Sequence, residues 1–249
     1  MTRRAMTTGP HPKDGNSPAN QPGGDSPAPD KPQRPAWRST AAIILFVAVT
    51  LGGLAADLWS KHAVFSALLA DPDIAPRAQA LAKQVGPDQT RDVLKALDLR
   101  HNVGGGLRLT LSTNPGVVFG LPMPPLLVAV ATVLTILMVS WFFAVSAARS
   151  RWTHIALGLI LAGALGNFYD RMIAKVFIPG VESPVTGQVR DFLDLSQIEV
   201  LGRNYPYIFN VADVWLVVGV IMLMLYWIFG PKPNQSTSRP SRIRKTRRA

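Results

Sequence analysis

The sequence predicts an all-α membrane protein with four transmembrane helices, a small extracytoplasmic cradle of β or irregular structure, and short amphipathic helices. Three observations carry the prediction. Four apolar runs each approach the roughly 20 residues that about 30 Å of hydrocarbon demands. The basic residues flank those runs instead of forming one patch. The two long connections carry mixed charge, amphipathic patterns and turn residues.

The composition agrees. Of 249 residues 48% are apolar, yet there are 21 Pro, so apolar spans are joined to polar tails. With no cysteine, disulfides, thiolate nucleophiles and Cys-ligated metals are excluded. The formal charge of +11 resides mainly at the ends: residues 1–38 hold six basic and three acidic groups, and residues 231–249 hold seven basic and no acidic groups. Arg149 and Arg151 add to it in the link between two spans. Basic groups placed beside apolar runs fit the positive-inside rule better than a nucleic-acid site, so no nucleic-acid partner is expected.

In chain order, residues 1–37 contain eight Pro and almost no aliphatic side chains, which predicts a disordered tail, bounded here as 1–38. A four-span body, 39–230, and a basic tail, 231–249, follow. The first span runs from Ser39 to Trp59, uncharged until Asp57. In the connection 60–123, Ala75–Gln84 and Asp88–Arg100 read as amphipathic helices, the second behind Pro87. Gly104–Gly106 breaks the pattern, and Leu107–Ser112 alternates as a strand does. The second span, Pro124–Ala148, starts at a proline cluster; the third, Trp152–Tyr169, is interrupted only by His154. In the connection 170–213, residues 172–208 mix Gly and Pro with short apolar runs, as irregular or β structure does, and Val214–Phe229 is the fourth span. Arg34 and Arg38, the Arg149/Arg151 link and the basic C-terminal run then face the cytosol, with both termini inside. This topology brings Asp57, Asn114, Asp170 and Asp213 to one outer layer, with Asp57 ending its span.

Ionisable groups at such places are functional candidates, because charge is costly in hydrocarbon. Asp170, Asp191, Asp194 and Asp213 are the candidates for paired-carboxylate chemistry. Two Asp in a poorly hydrated site share a proton, so one can act as a base toward water and the other as an acid. Such chemistry needs no metal and no cofactor. The plainer alternatives are that Asp213 caps the fourth span and that Asp170 pairs with Arg171 or another base. Asp57 and Lys61, spaced i, i+4, suit an ion pair with Lys61 reaching toward headgroups, or a site that orients substrate. Asn114-Pro115-Gly116 is a turn by composition, and Asn114, Asn167 and Asn210 can each donate to and accept from a peptide. The four His have no ligand spacing, and no Walker, His-Glu-x-x-His or Gly-x-Ser-x-Gly sequence is present.

Five motifs, Asp57-Leu-Trp-Ser-Lys61, Asn114-Pro-Gly116-Val-Val-Phe119, Gly166-Asn167-Phe-Tyr-Asp170-Arg171, Val189-Arg-Asp191-Phe192 and Phe209-Asn210-Val-Ala212-Asp213, together resemble the lipoprotein signal peptidase (signal peptidase II) family. They occur in that family's order and four-span frame, over about residues 40–230. The resemblance implies an aspartic endopeptidase of the bacterial cytoplasmic membrane that cleaves diacylglyceryl prolipoproteins just before the lipid-bearing Cys. It places the catalytic pair on Asp191 and Asp213, with Asp170 and Arg171 supporting the site. Asp57, Lys61, Asn114, Gly116, Asn167 and Asn210 match positions that shape the site or contact substrate. Membrane lipids and globomycin-type inhibitors are the further implied partners. The N-terminal tail, the segment 71–106 and the stretch from Arg171 to Asp191 are longer than the family pattern. Asp194 lies only three residues beyond Asp191, and the neighbouring Val189, Arg190 and Phe192 favour Asp191. A proton-coupled transporter using the acids as a relay, and a lipid-binding or assembly protein with structural acids, are the readings from other classes.

Overall fold

The computed structural model describes residues 34–86, 89–118, 121–122, 124–200, 202–204 and 207–230. The tail 1–33, the basic run 231–249, Pro87 and Phe119 lie outside the described residues. Four long apolar helices form: α1 (Thr40–Leu69), α4 (Pro125–Val145), α5 (Arg151–Met172) and α6 (Val211–Phe229), with α2 (Ile74–Val85) and α3 (Thr90–Leu97) between α1 and α4. All four long helices are apolar and long enough to cross a membrane, as the sequence predicts.

The first span differs from expectation in length. Asp57 does not end it, because α1 continues to Leu69. The 20-residue rule finds the lipid-facing part of a helix, whereas residues beyond Trp59 continue into a protein core. There Phe65 joins Ile74, Val93, Leu94, Leu97, Leu111, Val176, Ile178 and Phe192 in one buried cluster, which seats a cap on that end of the bundle. Helix α3 is also shorter than Asp88–Arg100. Asp98 takes a left-handed conformation (φ 44°) at its C-terminus, and Arg100 opens a strand.

The cap's sheet contains β1 (Arg100–Gly104), β2 (Leu107–Asn114), β7 (Val189–Asp194) and β10 (Ile208–Phe209), antiparallel in the order β1-β2-β7-β10. Ser112 pairs with Asp191 and Asn114 with Val189, so the acid-bearing strand is held by the strand that ends in the Asn114 turn. Short two-residue strands fill the rest of the connections: β3 (Val117–Val118) with β4 (Leu121–Pro122), β5 (Lys175–Val176) with β6 (Val185–Thr186), and β8 (Glu199–Val200) with β9 (Arg203–Asn204).

Helix α5 packs against the other three long helices and carries more buried residues than any of them. Its Gly163 lies so close to α6 that a Cβ there would collide with the Ala212 carbonyl and approach Leu216 Cγ at 2.8 Å. At the opposite end, residues placed in the tail by composition belong to the fold. Ala36–Arg38 form a 3₁₀ turn, and the Ala36 amide donates to the Ser146 carbonyl at 2.8 Å. The same end holds Phe46 stacked on Phe143, with ring centroids 4.0 Å apart.

Gly163→Val should lower stability by about 1–3 kcal/mol through overpacking, read as an earlier thermal unfolding transition of the detergent-solubilised protein.

Candidate active site

The site is built at the junction of α1, α5, β7 and the start of α6. Asn210 caps α6 reciprocally. Its Oδ1 accepts from the Asp213 amide at 3.1 Å, and its own amide donates to Asp213 Oδ2 at 3.2 Å. This capping box satisfies two otherwise orphaned donors and fixes Asp213 at the mouth of the helix. The helix starts at Val211, ahead of the expected Val214, so Asn210 is its N-cap and Asp213, at the third helical position, shares in the capping instead of supplying the cap itself. Asp213 Oδ1 remains outside that box and accepts from Asn167 Nδ2 at 2.8 Å.

Asp57 holds the same helix end from across the bundle: its Oδ1 accepts from the Ala212 amide at 2.8 Å. Its Oδ2 takes the Lys61 ammonium at 2.8 Å, a buried i, i+4 ion pair. Lys61 does not reach headgroups. It is fully buried, and its Nζ also meets Asp170 Oδ2 at 3.1 Å and Asn167 Oδ1 at 3.1 Å. The i, i+4 spacing was a correct pointer to the pair. The extra turns of α1 and the cap above them keep the ammonium from water. Gly166 makes room, since a Cβ there would overlap the Asp57 carboxylate.

Asp170 pairs with Arg190, not with Arg171. Arg190 Nη2 and Nε meet Asp170 Oδ1 at 2.6 and 3.0 Å, and the Arg190 amide meets Oδ2 at 3.0 Å. Arg171 instead donates to the Asn167 carbonyl at 3.3 Å, within electrostatic range of Asp191, Asp213 and Asp170. Arg190, quoted in its motif but given no role there, is thus a site residue that sequence reasoning passed over.

Strand alternation separates Asp191 from Asp194. Asp191 is buried and accepts from Asn210 Nδ2 at 2.6 Å, with Asn114 as a further hydrogen-bond partner. Burial first, then the charge of Asp213, pushes its carboxyl up to about 7, against the opposing pull of Asn210, Lys61 and Asn114. Asp194 faces elsewhere, where it meets Arg108 Nη2 at 2.8 Å and the Ser196 amide at 2.8 Å. Burial raises its pKa, but the donors Ser196 and Arg108 hold it below the ordinary carboxylate value. The structure therefore brings Asp191, and not Asp194, toward Asp213, through the linked amides of Asn210 and Asn167, which touch each other at 3.2 Å. Asn114 closes the far side with an Asx turn. Its Oδ1 accepts from the Gly116 amide at 2.9 Å, and Gly116 has φ 113°, a conformation that suits glycine alone.

Four carboxyl groups, those of Asp57, Asp170, Asp191 and Asp213, face three basic side chains, Lys61, Arg171 and Arg190. Among the described residues no group of His, Cys, Asp and Glu could hold a metal ion.

Fold and site together define a multi-pass membrane protein built around a buried carboxylate cluster at one end of a four-helix bundle. The family described as signal peptidase (SPase) II matches residues 49–229. A lipoprotein signal peptidase of Rhodopirellula baltica is 32% identical over 202 residues, covering 80% of this chain and 78% of its own. One from Staphylococcus aureus is 31% identical over 120 residues, covering 48% of this chain and 64% of its own. A solved bacterial membrane enzyme aligns with a TM-score of 0.49 and 22% identity, covering 79% of this chain and 98% of that one. The chain belongs to the signal peptidase II family, which makes it a protease that removes signal peptides.

Lys61→Met would leave Asp57 and Asp170 short of a buried partner. It should cost about 3–5 kcal/mol, measured by denaturant unfolding, whereas Arg100→Ala at the exposed Asp98 pair should stay within about 0.5 kcal/mol.

Proposed function

We propose that this protein is an intramembrane aspartic endopeptidase that cuts signal peptides from diacylglyceryl-modified prolipoproteins, immediately before the lipid-bearing Cys. The observation that carries the reading is the pairing of Asp191 and Asp213 through Asn210 and Asn167, with burial raising the Asp191 carboxyl to about 7. Asp213, held by the capping box, takes a proton from the attacking water. Asp191, still protonated below about pH 7, supplies a proton to the peptide as the bond breaks, and the roles exchange over the cycle. Arg171 steadies the charge that the pair carries, and Asn114 and Asn167 present amides to the substrate backbone. Lys61, Asp57, Asp170, Arg190 and Gly116 hold the frame. The cap over this end limits water, which strengthens these electrostatics.

Arg38, Arg149 and Arg151 lie at the end of the bundle opposite the acids, where the Ala36 amide meets Ser146. By the positive-inside rule that end faces the bacterial cytosol with both termini, and the carboxylates lie near the outer face. A diacylglyceryl anchor seated in the outer leaflet then brings its Cys to the depth of the pair, and a globomycin-type peptide would compete there. A transporter with an acid relay would place its carboxylates along the bundle toward the midplane. Here they gather at one end.

Asp191→Asn and Asp213→Asn should each abolish cleavage of a purified diacylglyceryl prolipoprotein, while Asp194→Asn should cleave it. Turnover by either of the first two variants would remove that residue from the pair. The raised pKa of Asp191 also fixes a sign. Its proton is bound below about pH 7 and lost above it, so kcat should fall as pH rises through about 7. A rate that climbs through that range would contradict the assignment.

A further inference from the structure

A second polar site lies at the other end of the bundle, remote from the carboxylates. A cavity of about 560 Å³ opens between the start of α1 and the α4–α5 link, lined by Ala41, Ala42, Leu45, Arg149, Arg151 and His154. Its character is divided: small apolar side chains come from α1, and cationic and imidazole groups from the link and the first turn of α5. Arg149 and Arg151 form no ion pair among the described residues. His154 is fully buried. Its Nε2 meets Ser146 Oγ at 3.2 Å, and the Ala147 backbone is a further hydrogen-bond partner of the ring. Trp37, Trp152 and Trp227 are exposed at this end, as in the aromatic belt that marks headgroup depth.

We propose that this cavity binds the headgroup of an anionic glycerophospholipid. Arg149 and Arg151 take the phosphate as charge-assisted donors, and Ala41, Ala42 and Leu45 receive the glycerol and the upper acyl chain. Two unpaired arginines beside an apolar wall at headgroup depth match a phosphate joined to hydrocarbon better than a free phosphate. The site is independent of the carboxylate cluster, so cleavage chemistry and lipid binding can fail separately.

The test is native mass spectrometry of the full chain released from micelles containing phosphatidylglycerol, phosphatidylcholine or glycerol phosphate. The expected result is retained phosphatidylglycerol, with about tenfold weaker retention in Arg149→Gln/Arg151→Gln. Should that variant insert poorly, Arg149→Lys/Arg151→Lys keeps the charge, loses the bidentate fork and should still weaken retention. Equal retention of phosphatidylcholine, equal binding of glycerol phosphate, or unchanged retention in both double variants would overturn the proposal. So would a wild-type chain that retains nothing until Asp25→Asn/Asp30→Asn is introduced, because the chain's own N-terminal segment would then be the occupant.

Discussion

A single buried ammonium makes the rest of the site possible. Lys61 Nζ lies between Asp57 and Asp170 with no exposure to solvent. Each carboxylate in turn reaches a different part of the structure: Asp57 holds the Ala212 amide at the start of α6, and Asp170 holds Arg190 on β7. Lys61 therefore ties the two elements that carry Asp213 and Asp191 to the α1 and α5 backbone. Desolvating three charges together is tolerable only when each is paired and hydrogen-bonded, and every one of the three is. The glycine at position 166 is the steric condition for the arrangement, since it lets α5 close on the Asp57 carboxylate.

Above that ion triad, two asparagines do what no charged residue could. Asn167 offers Oδ1 to Lys61 and to Asn210, and Nδ2 to Asp213. Asn210 caps α6 with its oxygen and donates to Asp191 with its nitrogen. Each amide uses both of its ends, so the pair carries polarity from the fixed charges to the two proposed catalytic carboxyls without adding charge. Replacing either by Asp would turn a donor into an acceptor and add a fifth carboxyl group beside three basic side chains.

Much of this was legible in the sequence because it is local or periodic. Four apolar runs and an i, i+4 acid–base pair at Asp57 and Lys61 are short-range signals. What was not legible depended on which neighbour a side chain meets across the fold. Asp170 and Arg171 are adjacent on a helix and so point in different directions, which is why, of the partners left open (Arg171 or another base), the pair is made by Arg190 from a strand 20 residues away. The burial of Lys61 was hidden because span length reports lipid thickness and is silent on a helix that continues into a protein core. The choice between Asp191 and Asp194 rests on strand alternation and on Arg108, whose pairing no motif announces.

The central claim is that Asp191, beside Asp213, holds its proton up to about pH 7. Infrared difference spectroscopy of the purified protein reads protonated carboxyl groups directly. The account predicts one carboxylic C=O band near neutral pH that titrates with a midpoint of about 7, vanishes in Asp191→Asn and persists in Asp194→Asn. A band that survives Asp191→Asn, or none in the wild-type protein below that pH, would contradict it.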